Sequence, residues 1–266
     1  MKKMLKITNL QKTFNPGTVN EKTALYGLDL HLKDGDFATV IGGNGAGKST
    51  MLNAIAGVWK PDFGTIEIDG VDVTQMPEYR RAKFLGRVFQ DPMQGTAPDM
   101  EIAENLAIAA RRGTKRRFVW GVRKEERIRY RELLATLELG LEDRLSGKVG
   151  LLSGGQRQAV TLLMATLHRP KLLLLDEHTA ALDPKTAAKV LEITDQIVHK
   201  NKLTTLMITH NMKEAIAHGN RLIMMHGGRI VVDVSGDEKK NLTIEQLLNL
   251  FTQASDGAVD DRMVLS

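Results

Sequence analysis

GGNGAGKST, residues 42–50, carries the pattern G-x-x-x-x-G-K-[ST] between a segment that reads as a short strand, Phe37 to Ile41, and one with helical spacing, Ser49 to Gly57. Glycines at this density let successive backbone N–H groups turn toward one point, and the start of a helix adds roughly half a positive charge there. Lys48 is then placed to reach outer phosphates, and Ser49 to put its hydroxyl on Mg²⁺. The alternative is a plain glycine-rich turn, which the strand-loop-helix setting disfavours.

A magnesium nucleotide needs a carboxylate from a second strand. LLLLDEHT supplies it: Leu172 to Leu175 form an apolar run that ends in Asp176 and Glu177. Open parallel sheets bind ligands at the carboxyl edge of their strands, so Asp176 is expected to hold Mg²⁺ through water and Glu177 to polarise an attacking water as general base. Taken alone, the pair reads equally well as two surface acids closing a strand. A third stretch, LSGGQRQ at 152–158, has Ser153 and Gln156 at capping-box spacing ahead of an apolar helix. The cap does not account for Gly154 and Gly155, each of which costs about 1 kcal/mol against alanine in a helix. Close approach of backbone to an anion does, yet no lysine lies nearby to neutralise one.

Around these stretches the chain alternates. Residues 4 to 8 and 25 to 32 show the period-two pattern of half-buried strands, with Asn15-Pro16-Gly17 as a turn between them, and Thr65 to Ile68 with Asp69-Gly70 reads as a hairpin strand and its turn. From 99 to 166 strand signal all but disappears and helical periodicity takes over, as in Ile128 to Leu139. Strands return at Lys171 to Leu175 and Thr204 to Ile208, with a helix over 184 to 200 between them, which implies parallel strands in a layered α/β core. Thr243 and Gln246 cap a last short helix through Phe251, and the polar tail begins at Thr252.

Composition excludes several classes. The 266 residues include no cysteine, so neither a disulfide framework nor a thiolate metal site exists. The opening MKKMLKITNL has lysines without a long apolar stretch behind them and does not read as a signal peptide. No window reaches the ~20 apolar residues of a membrane span. A net charge of +5 is modest and says less than local clusters do.

Together these residues resemble the nucleotide-binding subunit of an ATP-binding-cassette (ABC) transporter, over roughly residues 4 to 235. The family signature is LSGGQ, which Leu152 to Gln156 match without a change. The resemblance implies a P-loop NTPase cassette of the α/β class, with a RecA-like core, an antiparallel β subdomain and an inserted α-helical subdomain at approximately 95–166, within a nucleotide-binding domain of residues 4–250 followed by the tail 252–266. It implies ATP and Mg²⁺ as ligands. Gly42, Asn44, Gly45, Gly47, Lys48, Ser49 and Thr50 would hold the nucleotide, while Ser153, Gly154, Gly155 and Gln156 would bind the γ-phosphate held by a second, opposed subunit. By the same likeness Gln90 in RVFQDP touches Mg²⁺ and the attacking water, Asp183 in AALDP crosses the dimer interface, and His210 in MITHN approaches the γ-phosphate. Phe14 in KTF matches the aromatic that stacks on adenine, although a core phenylalanine fits the sequence as well. The chain departs from the family at His178, often proline, at AALD in place of the commoner SALD, and at Gly43, often serine or proline.

The implied partners are a second cassette in a homodimer or paired cassette with ATP at the interface, integral membrane permease subunits and, in an uptake system, a solute-binding protein; no nucleic acid is expected. The implied location is the cytoplasmic face of the membrane and the implied direction import. Export, a soluble ABC protein acting on DNA or ribosomes, and a regulator that binds ATP without hydrolysing it are the other readings. Residues 111 to 131 carry ten basic residues against two acidic ones, with Phe118, Trp120 and Tyr130 interleaved. This run reads as a solvated helix-loop-helix with aromatic plugs, as a membrane-proximal face, or as a nucleic-acid surface.

Overall fold

The computed structural model describes residues 3–114 and 121–254. Two long strands, β1 (Lys3–Phe14) and β2 (Lys22–Lys33), are followed by β3 (Phe37–Ile41), α1 (Lys48–Ala56), β4 (Phe63–Ile68) and β5 (Val71–Asp72). A single helical turn, α2 (Glu78–Arg81), and a short strand, β6 (Leu85–Val88), lead into α3 (Ile102–Ala110), α4 (Lys124–Ala135) and α5 (Gly154–Thr166). Then come β7 (Leu172–Asp176), α6 (Pro184–Asn201), β8 (Thr205–Ile208) and α7 (Met212–Ala217). The hairpin β9 (Arg221–His226) and β10 (Arg229–Ser235) precedes α8 (Asp237–Lys240) and α9 (Ile244–Ala254).

The strands form an antiparallel sheet in the order β2-β1-β4-β5 and a larger sheet in the order β10-β9-β3-β8-β7-β6. In the larger sheet every pairing from β9 to β6 is parallel, and β10 is an antiparallel edge. The central strands are apolar throughout because both faces are covered. Leu172 and Leu174 join Val40 and Ile208 in the core that contains α1 and the first sheet, while Leu173 and Leu175 join Met207 in the core beneath α5 and α6. Each such leucine contributes about 1.5–3 kcal/mol by burial. Neighbouring parallel strands end on the same side, so the loops after β3, β8, β7 and β6 meet along one edge.

Several elements differ from the sequence expectations. β1 runs on to Phe14, beyond the 4–8 segment, because Asn9 sits at φ 47° in an irregularity of the β1–β2 register that breaks the alternation there. Gly64 lies opposite, where a Cβ would come 2.3 Å from the Asn9 carbonyl oxygen. α4 begins at Lys124 and ends at Ala135, not at 128 and 139, since a polar first turn closed by the Glu126 carboxylate on the Arg123 N–H hides its start. Periodicity gave no element to 221–235, yet Gly227-Gly228, at φ 53° and 75°, join β9 and β10 in a two-residue hairpin turn. The Thr243–Gln246 box is formed, and α9 continues through Ala254, so 252–254 are helical; the rest of the tail lies outside the described residues.

The described part of the basic run is largely tied to internal partners. Arg111 pairs with Glu126, Arg127 with Glu101 and Arg131 with Asp143, and Arg112 donates to the Ala165 carbonyl. Tyr130 is buried in the core beneath α5. These contacts favour the helix-loop-helix reading for this part; Phe118 and Trp120 lie outside the described residues. Arg81, by contrast, is a fully buried cation. Its fork donates to the carbonyls of Ala54 and Ile55 at the end of α1 and to those of Met76 and Thr74, satisfying acceptors that the helix leaves open.

Candidate functional site

β3 delivers the chain into Gly42–Gly47, and α1 starts at Lys48 with Gly47 as its N-cap at φ 98°. A Cβ on Gly47 would lie 2.7 Å from the Ala24 carbonyl oxygen, so only glycine fits between this turn and β2. The first-turn N–H groups of α1 have no helical acceptor. Lys48 is 7 % exposed, and its ammonium donates to the carbonyls of Gly42 at 2.6 Å and Gly43 at 3.2 Å. Burial pulls its pKa down, against the raising influence of Glu177 and Asp176. A cleft of about 410 Å³ over the loop is lined by Gly43 to Thr50, Glu177, Lys22 and Phe14. Phe14 is half-buried at the cleft wall rather than enclosed in the core, with Trp59 edge-on at 5.4 Å.

Asp176 ends β7 and Glu177 follows in the left-handed region at φ 45°. Such a conformation is costly for a residue with a Cβ and is concentrated at functional positions; here the Glu177 N–H donates to Ile208 O at 3.0 Å and holds the turn. Glu177 Oε2 lies 3.9 Å from Nδ1 of His210, which is exposed at the end of β8. Burial pushes the Asp176 pKa up, opposed by the Arg87 guanidinium, whose Nη2 is 3.5 Å from Asp176 Oδ2. Gln90 is exposed beyond β6 and shares a hollow with Asp176, Asn53 and Arg87.

These donors suit Mg²⁺. That ion takes one or two carboxylates together with phosphate oxygens and water, and does not need an all-protein cage. Among the described residues no three histidine, aspartate or glutamate side chains cluster as a cage. Ser49 on α1, and Asp176 and Gln90 in the hollow beside α1, offer hard oxygens.

Ser153 caps α5 as the sequence implies: its N–H donates to Gln156 Oε1 and its Oγ accepts from the Gln156 N–H, both at 3.3 Å. The two glycines behave differently. Gly154 is exposed, whereas a Cβ on Gly155 would come 2.1 Å from Thr186 Cγ2, so packing of α5 against α6 is itself a reason for glycine there. Asp183 is exposed and caps α6, accepting from the Thr186 N–H at 3.1 Å. Neither Ser153 to Gln156 nor Asp183 lines the cleft over this chain's own phosphate loop.

His178 is fully enclosed and hydrogen-bonded through Nε2 to Thr194 Oγ1 at 3.0 Å. The Thr194 hydroxyl already donates to Val190 O, so His178 is the donor and carries a proton on Nε2. Burial, with a smaller contribution from His218, pushes its pKa down to about 4. The unfolded chain therefore takes up this proton first, near pH 6.5, and stability falls as pH drops from there toward about 4. Urea unfolding at stepped pH is expected to show that slope in the native chain and a shallower one in His178→Asn; equal slopes would reject the assignment.

Sequence reasoning missed Arg87 and Lys22 in this region. Arg87 carries a weak signal, a lone cation in an otherwise apolar tetrad three residues before Gln90.

The family model described as ABC transporter matches residues 25–180. The tyrosine transport ATP-binding protein of Clostridioides difficile (strain R20291) is 46 % identical over 252 residues, covering 94 % of this chain and all of that protein. The aliphatic sulfonates import ATP-binding protein SsuB 1 of Agrobacterium fabrum (strain C58 / ATCC 33970) is 34 % identical, covering 85 % of this chain and 72 % of its own length. Among solved structures, the dimeric post-hydrolysis state of the ATP-binding cassette MJ0796 bound to ADP and Pi superimposes with a TM-score of 0.74 at 31 % identity, covering 87 % of this chain and 98 % of that one.

Proposed function

The chain belongs to the ABC transporter family as an ATP-binding, ATP-hydrolysing subunit, and from that premise we propose that two copies, or this chain and a paired cassette, close around two Mg-ATP and drive solute import through a separate membrane permease. The observation that carries this reading is the convergence of the loops after β3, β8, β7 and β6 along one edge of the sheet. In it Gly42, Asn44, Gly45, Gly47, Lys48, Ser49 and Thr50 hold the phosphates and Phe14 stacks on adenine, a contact tolerant of base identity. Ser49, Asp176 and Gln90 hold Mg²⁺, which when bound supplies charge neutralisation at the phosphates. Glu177 accepts a proton from the attacking water as its oxygen bonds to the γ-phosphorus and the β–γ bridge breaks toward ADP, with His210 alongside.

Ser153, Gly154, Gly155, Gln156 and Asp183 act on the partner's nucleotide. Their separation from this chain's own cleft supports a site completed by a second copy, and two-fold pairing gives two such sites. We take residues 4–250 as one nucleotide-binding domain with the helical subdomain at about 95–166 as the face that meets the permease. No helix among the described residues is long and apolar enough to cross a membrane, which accords with attachment to the cytoplasmic face through that partner. The relative named for tyrosine transport supports an aromatic amino acid as cargo.

Affinity recovery from gently solubilised membranes, with the cassette trapped by a non-hydrolysable ATP analogue, tests the assignment. A multi-span permease together with an exported solute-binding protein is the expected catch. A permease alone would replace import by export, and ribosomes or DNA-bound proteins in place of any permease would overturn the transport reading.

A further inference from the structure

Arg87 stands on β6 with its side chain 14 % exposed, in a place where a cation is expensive unless paired. Its Nη2 donates to Asn53 Oδ1 of α1 at 2.7 Å, and the same nitrogen lies 3.5 Å from Asp176 Oδ2. The guanidinium stacks 4.5 Å from the centre of the Phe89 ring, immediately before Gln90. One side chain thus touches the phosphate-loop helix, the acid that ends β7 and the segment leading to Gln90.

The fork is not used as a purely structural arginine would use it. Nε is buried without a hydrogen-bond partner among the described residues. The contact with Asp176 is longer than the ~2.7–2.9 Å of a tight charge-assisted bond. The bidentate geometry for which arginine is suited is therefore unmade, and the carboxylate is held by charge more than by a fixed hydrogen bond. A pair of this kind keeps a desolvated carboxylate in place and remains easy to separate.

We propose that Arg87 is a positioning residue for the Mg²⁺ carboxylate: it holds Asp176 while no cation is present and competes with the ion when metal and nucleotide arrive. The inference rests on the reading of Asp176 as a Mg²⁺ ligand. It makes the guanidinium a counter-ion that the metal partly displaces, so its removal should leave Asp176 more available to metal. Nucleotide binding without metal should change little, since Arg87 does not line the cleft over the phosphate loop.

The test compares the dissociation constant of a fluorescent, non-hydrolysable ATP analogue in EDTA with that in saturating Mg²⁺; metal binding by the free nucleotide cancels between variants. The tightening by Mg²⁺ is expected to be about five- to tenfold larger in Arg87→Met than in the native chain, and close to native in Arg87→Lys. Tightening equal to or below the native value in Arg87→Met overturns the proposal. Should Arg87→Met not fold, Arg87→Gln, which keeps a donor for Asn53 without the charge, carries the same expectation. Asp176→Asn separates the two levels: loss of most of the Mg²⁺ effect there supports the ligand reading whatever Arg87 does, and an unchanged effect removes that reading and this proposal with it.

Discussion

Glu177→Gln is expected to bind ATP as the native chain does, to lose about 10²–10⁴-fold in turnover, the usual contribution of a general base, and to accumulate as a dimer. The substitution leaves the geometry alone: glutamine has the same length, and the φ of 45° is held by the backbone bond to Ile208 O rather than by the carboxylate. What disappears is the basic oxygen, which lies 3.9 Å from His210 Nδ1 and faces the cleft over the phosphate loop. On the proposed reading, phosphate recognition rests on the loop and Lys48, so affinity should hold. On the proposed composite site, an intact β–γ bridge would let the partner's Ser153 to Gln156 retain the γ-phosphate that joins the two subunits. Steady-state phosphate release and light scattering in saturating Mg-ATP read the two effects separately. Turnover within a few-fold of native would remove Glu177 as the base, whereas a monomer under those conditions would remove the composite site.

The sequence disclosed this site unevenly, for physical reasons. A phosphate loop needs glycines, a lysine and a hydroxyl at fixed spacing, and Asp176-Glu177 must follow an apolar strand, so both are legible from local order alone. β3, β7 and β8 are buried on both faces and show as apolar runs. β6 has only four residues, one glycine and one arginine among them, and becomes a strand through its pairing with β7. The Arg87–Asp176 pair and the Arg81 fork join residues far apart in sequence, and no periodicity marks a lone cation whose acceptors are supplied by other elements. Gly155 shows the converse difficulty. The sequence suggested an anion as the reason for glycine, and the contact with Thr186 adds a packing reason that only the α5–α6 crossing could reveal.

Packing and chemistry also meet at Lys48, and Lys48→Ala is expected to weaken ATP binding by about 30- to 4,000-fold, the range for truncating one partner of a desolvated charge pair. The ammonium has three donors; two are engaged by the Gly42 and Gly43 carbonyls, which leaves one for a phosphate oxygen without dismantling the loop. Alanine removes that donor, the charge and the staple across the loop together. Its effect should therefore grow with the ligand's phosphate count, small for AMP and largest for ATP, in fluorescence titrations at constant ionic strength. A loss of equal size for AMP and ATP would assign Lys48 to loop folding alone. Unchanged ATP affinity in a chain that still melts cooperatively would overturn the phosphate-loop reading, because nothing else buried in this turn carries a positive charge to the cleft.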